Sequence, residues 1–283
     1  MASKLTLDGG IALVTGAAGG IGKETALAFA EAGAKGVIFA DINHEGVQAA
    51  AEESRKYARH AEYRALAIKV DISNAESVQS LVASTMKEFG RIDYAVNIWR
   101  AISLSRPPTL DLDVFSKVSD TNILGAVLFV RAVMAAMASQ EPLVFPGTRR
   151  HGPRSLGRGS IVLLGSTNSL IGAPGVISYG TSKHAVIGIM KSAAVDSLAL
   201  QSAIRVNTVC PAFVDTPMIQ SAIEMNPMVK HAIDNMTPFK RAATVDEVAD
   251  YIVFLSSPSA SFIHGTALAI DAGFTLPAPV LPQ

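Results

Sequence analysis

Several things that would settle the class of this chain at once are scarce or missing. It has 1 cysteine among 283 residues, so no disulfide can form within it. That residue, Cys210, lies in an apolar run ahead of Pro211 and is expected to be a buried structural thiol rather than a reactive one. Neither charge is in excess: Lys and Arg number 24, Asp and Glu 24, which gives no reason to expect nucleic acid or an anionic membrane as partner. Residues 1–8 lack the long apolar core of a signal peptide. The most apolar helical stretch, residues 122–137, carries Arg131 and is too short to span a bilayer comfortably. No metal site is expected, and a soluble, cytoplasmic protein is the expectation that remains.

Apolar material is abundant. Hydrophobic residues make up 49% of the chain and charged ones 17%, enough for one large core. Short apolar runs at 11–15, 36–40, 65–70, 95–98, 160–164 and 205–209 read as buried strands. Between them, residues 21–32, 44–58, 74–89, 119–138 and 179–200 have helix-like composition and length. Continuous apolar strands separated by helices predict an α/β fold: one domain over 1–283, a doubly wound parallel sheet with helices on both faces. Its ligand crevice is expected at the C-terminal ends of the strands. Ser73 with Glu76, and Thr244 with Glu247, match the pattern of a capped helix start.

Two segments interrupt this rhythm. Residues 141–159, with Pro142, Pro146 and Pro153, read as a long loop carrying Arg149, Arg150, His151, Arg154 and Arg158. It is either a solvated insertion or a basic surface for an anionic substrate or partner. The tail 276–283 is proline-rich and is expected to extend over the surface or a neighbouring subunit.

The first strand runs into a glycine cluster between Thr15 and Gly22. Glycines at 16, 20 and 22 permit a tight turn, close approach of backbone to a pyrophosphate and close packing of the next helix, whose N-terminus then offers N–H donors to phosphates. Asp41 closes the second strand, where a carboxylate accepts hydrogen bonds from adenosine ribose hydroxyls and repels a 2′-phosphate. Neither Ile42 nor Asn43 is basic, so NAD(H) is expected over NADP(H). The alternative for Asp41 is capping of the helix near Asn43 and His44. Further on, Tyr179 and Lys183 stand four apart, which on a helix puts phenol and ammonium side by side. A fixed cation there lowers a tyrosine pKa from about 10 and suits it to exchange protons with a substrate oxygen.

Together these residues resemble the short-chain dehydrogenase/reductase family over nearly the whole chain, on a Rossmann-like fold. The turn from Gly16 through Gly20 and Ile21 to Gly22 resembles its cofactor turn, and Asp71-Ile72 its adenine-contacting pair. Asn122, Ser166, Tyr179 and Lys183 match its active-site residues in order and spacing. Asn97 resembles the first residue of the segment after the fourth strand, and Asn207 with the run Pro211, Val214 and Thr216 the segment beside the nicotinamide. The resemblance implies that Ser166 stabilises charge on the substrate oxygen and that Tyr179 is general acid or base. It further implies that Lys183 tunes Tyr179 and binds the nicotinamide ribose, and that Asn122 holds a water of a proton relay. As bland alternatives, Ser166 is a strand-end cap and Asn122 a hydrogen bonder inside a helix.

There are departures. The family usually has Asn-Asn-Ala-Gly where this chain has Asn97-Ile-Trp99-Arg100. The two large side chains either point away, reshape the substrate entrance or weaken the dinucleotide site. Pro211-Ala212 replaces a common Pro-Gly. Residues 213–240 fall where the family places a substrate lid, and Met218, Met225, Met228, Met236 and Phe239 suit a bulky hydrophobic or polycyclic alcohol or ketone, of a kind found in secondary metabolism. Ordinary lid packing explains them equally. Asn168, Leu170 and Met218 are expected to face that substrate. A homotetramer or homodimer through residues 119–138 and 179–200 is implied. Two rivals stand beside an NAD(H)-dependent redox enzyme: a cyclase, isomerase or dehydratase on this scaffold, and a non-catalytic dinucleotide-binding regulator.

Overall fold

A computed structural model describes residues 7, 9–99, 101–147 and 152–276; Arg100, Arg149, Arg150, His151 and the tail beyond Leu276 lie outside the described residues. At its centre is β1 (Ile11–Thr15), buried at every position. It pairs in parallel with β2 (Gly36–Asp41) on one side and β4 (Tyr94–Asn97) on the other, Ala12 standing opposite Val37 and Tyr94. Adding β3 (Arg64–Lys69), β7 (Gly159–Leu164), β8 (Ile204–Pro211) and β9 (Ala267–Ile270) gives a seven-stranded sheet of order β3-β2-β1-β4-β7-β8-β9, parallel throughout. The strand order reverses between β1 and β4, and the chain's ligand crevice opens at their C-terminal ends.

Alternation along β1 explains why all of it is buried. Ala12 and Val14 join a cluster with Phe29 and Ala30 of α1 (Gly20–Glu31), Val47 and Ala50 of α2 (His44–Ser54), and Val248 and Ile252 of α9 (Val245–Ser256). Ile11 and Leu13 join the opposite cluster, with Leu81 of α3 (Ala75–Phe89), Phe129 of α5 (Gly125–Ala138) and Met190 of α6 (Ile177–Ala199). Phe29, Phe39 and Phe129 are wholly enclosed, and burial of each such side chain contributes roughly 1.5–3 kcal/mol.

Four expectations need correction. The start of α3 is capped by Asn74, whose side chain accepts from the N–H of Ser77; the Ser73 hydroxyl instead donates to Asp71 at 2.6 Å. The Thr244–Glu247 pattern does cap α9, the Glu247 carboxylate accepting from the Thr244 N–H at 2.8 Å. Residues 141–159 are not one loop, because β5 (Leu143–Phe145) and β6 (Arg154–Gly157) form an antiparallel hairpin, with Arg154 stacked over Phe145. The helix expected to begin at 119 begins earlier, with α4 (Leu112–Ser119), and passes through a π-turn, Asp120–Leu124, into α5. The continuous run Leu112–Ala138 has 27 residues and is long and apolar enough by length and composition to cross a membrane, so the expected shortness does not hold; half of its most apolar window is buried in this fold.

The glycine turn yields a paired stability prediction. Gly16 has φ +68°, and a Cβ there would run into the main-chain oxygen of Ile98. Gly19 is extended at φ −173° with open space around its missing Cβ. Gly16→Ala is expected to cost about 1–3 kcal/mol, seen as a melting temperature lowered by roughly 2–10 °C in thermal denaturation. Gly19→Ala should leave it unchanged; equal losses in both variants would refute this view of the turn.

Candidate active site

The last turn before α1 and the ends of β1 and β4 surround a cleft of about 310 Å³, lined by Gly16, Gly20, Ile21, Gly22, Asp41, Thr216 and Met218 among others. Thr15 links the two strand ends: its buried hydroxyl donates to Val96 O at 3.2 Å and accepts from the Ile98 N–H at 3.1 Å. Helix α1 starts at this cleft with no side-chain cap and no acidic residue in its first turn. Its first N–H groups have no partner within the helix, so the cleft presents donors and a positive dipole end to an anion. A Cβ at Gly22 would run into the main-chain oxygen of Gly16, which is why the turn and the helix can close so tightly only with glycine. These features fit a dinucleotide's phosphates.

Asp41 lies on the wall of the same cleft. One carboxylate oxygen accepts from the Asn43 N–H at 2.9 Å and the other from the Ala18 N–H at 3.4 Å. Each oxygen keeps a further acceptor site, so this anchoring and ribose binding are compatible. The cap of α2 is Asn43 itself, accepting from Gly46 N–H at 3.0 Å.

The four residues expected to carry chemistry lie on neighbouring elements. Tyr179 and Lys183 sit one turn apart on α6, with the Lys183 Nζ 5.6 Å from the centroid of the tyrosine ring. Lys183 is 1% exposed, and its Nζ donates to Leu164 O at 2.7 Å. That carbonyl ends β7, two residues before Ser166, so the lysine ties α6 to the strand that delivers the serine. Ser166 is buried; its Oγ accepts from Asn168 N–H at 3.2 Å, and its own N–H donates to Ser169 Oγ at 3.1 Å. Asn122 sits in the π-turn. Its Oδ1 accepts from Ala101 N–H at 2.7 Å, while Nδ2 donates to Ala101 O at 2.8 Å and to Ser182 Oγ at 2.9 Å. Ser182 in turn donates to Tyr179 O at 2.7 Å. A continuous set of hydrogen bonds therefore joins the strand β4 exit, the π-turn and the tyrosine's own turn of helix.

The remaining predicted residues divide. Asp71 is exposed just past β3, its Oδ1 accepting from Ser73 N–H at 2.9 Å as well as from the Ser73 hydroxyl, and the Ile72 side chain is 2% exposed in the core. Asn97 is buried on β4 with its Nδ2 unpaired. Pro211 is buried at the end of β8, and Val214 is buried where residue 214 bridges Ala243. Asn207 ties β8 to the segment before β9, through Ile263 O and Thr266 N–H. Thr216 caps α7 (Pro217–Met225), and a Cβ on Gly20 would lie 3.4 Å from its methyl group. Asn168 is half-buried, Leu170 and Met218 exposed.

Sequence reasoning missed Ile98, Leu164 and Pro217 on the cleft wall and Ser182 in the network. Trp99 also lines the cleft and packs against the core on the α3–α5 side, with its indole nitrogen buried and unpaired. An unpaired buried donor of this kind costs about 1–3 kcal/mol. Cys210 is fully buried behind Gly165, and burial pushes its thiol up to about 11, as expected of an inert structural thiol.

Comparison with known proteins identifies the family. A family model described as enoyl-(acyl carrier protein) reductase matches residues 16–275. Short-chain dehydrogenase fogB of Aspergillus ruber is 42% identical over 273 residues, covering 95% of this chain and 98% of its own. Short-chain dehydrogenase anuF of Penicillium roqueforti is 39% identical over 269 residues, covering 94% and 96%. Among solved structures, a short-chain type dehydrogenase/reductase from Mycobacterium marinum superposes with TM-score 0.82 at 30% identity, covering 96% of this chain and 98% of its own. Levodione reductase superposes with TM-score 0.82 at 27% identity, covering 95% and 98%. The chain belongs to the short-chain dehydrogenase/reductase family, whose members are oxidoreductases that use a nicotinamide dinucleotide on a Rossmann-like fold.

Proposed function

We propose that this protein transfers a hydride between NAD(H) and a bulky hydrophobic alcohol or ketone, with Tyr179 as general acid/base. The observation that carries this reading is the buried Lys183 amino group, held beside the Tyr179 ring and bonded to the strand end that leads to Ser166. The bound nicotinamide supplies or accepts the hydride. Tyr179 gives its proton to the substrate oxygen in reduction and takes it back in oxidation. Ser166 accepts from Asn168 N–H and so keeps its own proton to donate to that oxygen as charge develops there. Asn122 supports the relay by position: its amide fixes the segment after β4 to α6, holding Tyr179 and Lys183 in register with the cleft.

Asp41 supports the preference for NAD(H), because a 2′-phosphate on the ribose would meet its carboxylate on the cleft wall. The hydrophobic substrate is suggested by the lid. Helix α7 has no buried residue and α8 (Pro227–Met236) only Ile233, while Met225, Met228, Met236 and Phe239 present apolar surface to solvent. The unpartnered Val195, Leu198 and Leu200 at the end of α6, with Leu124 and Val127 at the start of α5, suit a homotetramer or homodimer.

Three outcomes follow. Tyr179→Phe is expected to lower turnover by about 10²–10⁴ with nucleotide affinity nearly unchanged, read by steady-state ketone reduction and by calorimetric titration. Retained turnover would move the proton to another group. The wild-type protein should bind NADH more tightly than NADPH, and Asp41→Asn should narrow that gap by roughly tenfold or more; an NADPH preference in the wild type contradicts the role given to Asp41. Light scattering at micromolar concentration should give a multiple of the chain mass, and a monomeric mass would refute the oligomer.

A further inference from the structure

We propose that Ser169 is a positioning residue for the reaction, an inference that rests on the redox reading above: its hydroxyl sets where Ser166 presents its own hydroxyl to the substrate oxygen. Strand β7 delivers Ser166 in two steps. Lys183 Nζ holds Leu164 O at 2.7 Å, and the Gly165 N–H still bonds into the sheet, to Val209 O at 2.8 Å. Beyond Gly165 the hold on the chain passes to Ser169. The Ser166 N–H donates to Ser169 Oγ at 3.1 Å, and the Ser166 carbonyl accepts from the Ser169 N–H at 2.8 Å. One residue therefore fixes the peptide planes on both sides of Ser166, whose backbone is extended at φ −165° and ψ 165°. Those planes set the direction of the Cα–Cβ bond and so the place of Oγ. That oxygen accepts from Asn168 N–H at 3.2 Å and keeps its proton for the substrate.

The Ser169 side chain is turned inward and closely fitted. It is 5% exposed, at the end of the 3-10 turn Thr167–Ser169, while its neighbours Asn168 and Leu170 are half-buried and exposed. A Cβ on Gly165 would come within 3.0 Å of Ser169 Oγ and 2.8 Å of Cys210 Sγ, so both atoms lie against the residue just before the serine. The same turn packs on β8 and on α6, which carries Tyr179 and Lys183. Replacing the hydroxyl by hydrogen leaves the buried Ser166 N–H with only the Cys210 sulfur beside it, a weak acceptor. The turn then relaxes toward a better acceptor and carries Oγ with it. Displacing a reacting group by about 1 Å costs on the order of a hundredfold in rate.

Full-length Ser169→Ala is compared with the wild type by calorimetric titration with NADH and by steady-state reduction of a bulky ketone. Positioning predicts full NADH stoichiometry and a dissociation constant within about twofold of wild type, while kcat per bound nucleotide falls about tenfold or more. Ser169→Thr, which keeps the oxygen, should recover most of that loss. An unchanged kcat in Ser169→Ala overturns the proposal, and so does an equal loss in a folded Ser169→Thr. A fall in activity that only matches a fall in NADH stoichiometry overturns it too, because the hydroxyl would then serve folding alone. If Ser169→Ala does not fold, Ser169→Cys, with a weaker acceptor of similar size, carries the same expectation and the same refutations. The redox reading fails separately: a wild-type protein that binds NADH yet reduces no ketone removes the reaction, and the positioning role with it.

Discussion

A lysine side chain that is almost wholly buried reaches across to the last carbonyl of a central strand, and the geometry of the site depends on that reach. The Lys183–Leu164 hydrogen bond, 2.7 Å long, joins the middle of the sheet to the helix that carries the tyrosine. Because Tyr179 lies one helical turn before Lys183, fixing the lysine fixes the ring; because Ser166 follows Leu164 by two residues, it fixes the serine relative to both. The sheet makes this possible. Strand β7 is buried along its whole length between β4 and β8, so its C-terminal carbonyl is a rigid anchor. A second constraint arrives from the opposite direction through Asn122, which holds the exit of β4 and, via Ser182, the same turn of α6.

Different groups organise the two halves of the crevice. Lys183 organises the end assigned to proton transfer under the proposed function, a step that needs tight positions. The glycine turn and the uncapped α1 organise the phosphate-binding end, where backbone donors suffice. Trp99 borders the cleft and packs against the core on the α3–α5 side, with its indole nitrogen closed off from solvent.

Much of the fold was legible because its strands are buried on both faces. In such a strand apolar residues run without interruption, and β1, β2, β7 and β8 could be placed nearly to the residue. Motif residues were legible for a different reason: Gly16, Gly22, Tyr179 and Lys183 act at fixed short separations that one helix or one turn sets. What escaped depends on partners distant in sequence. The π-turn around Asn122 has no local signature; it goes with a pairing to Ala101, 21 residues away. Ser182 looks like any small helical residue until Asn122 donates to it. Ser73 and Glu76 matched a capping pattern, but the Ser73 hydroxyl was already taken by Asp71, and Asn74 caps in its place. The β5–β6 hairpin hid behind prolines and glycines that signal turns without saying how the strands between them pair.

The central claim is that this site moves a hydride, which separates it from a cyclase, isomerase or dehydratase built on the same scaffold. The most direct measurement supplies NADH deuterated at both C4 positions to a panel of bulky ketones and weighs the products by mass spectrometry. Hydride transfer predicts one deuterium on the new carbinol carbon, with oxidised cofactor formed in equal amount. Products that form without the label, or without matching oxidation of the cofactor, would contradict it.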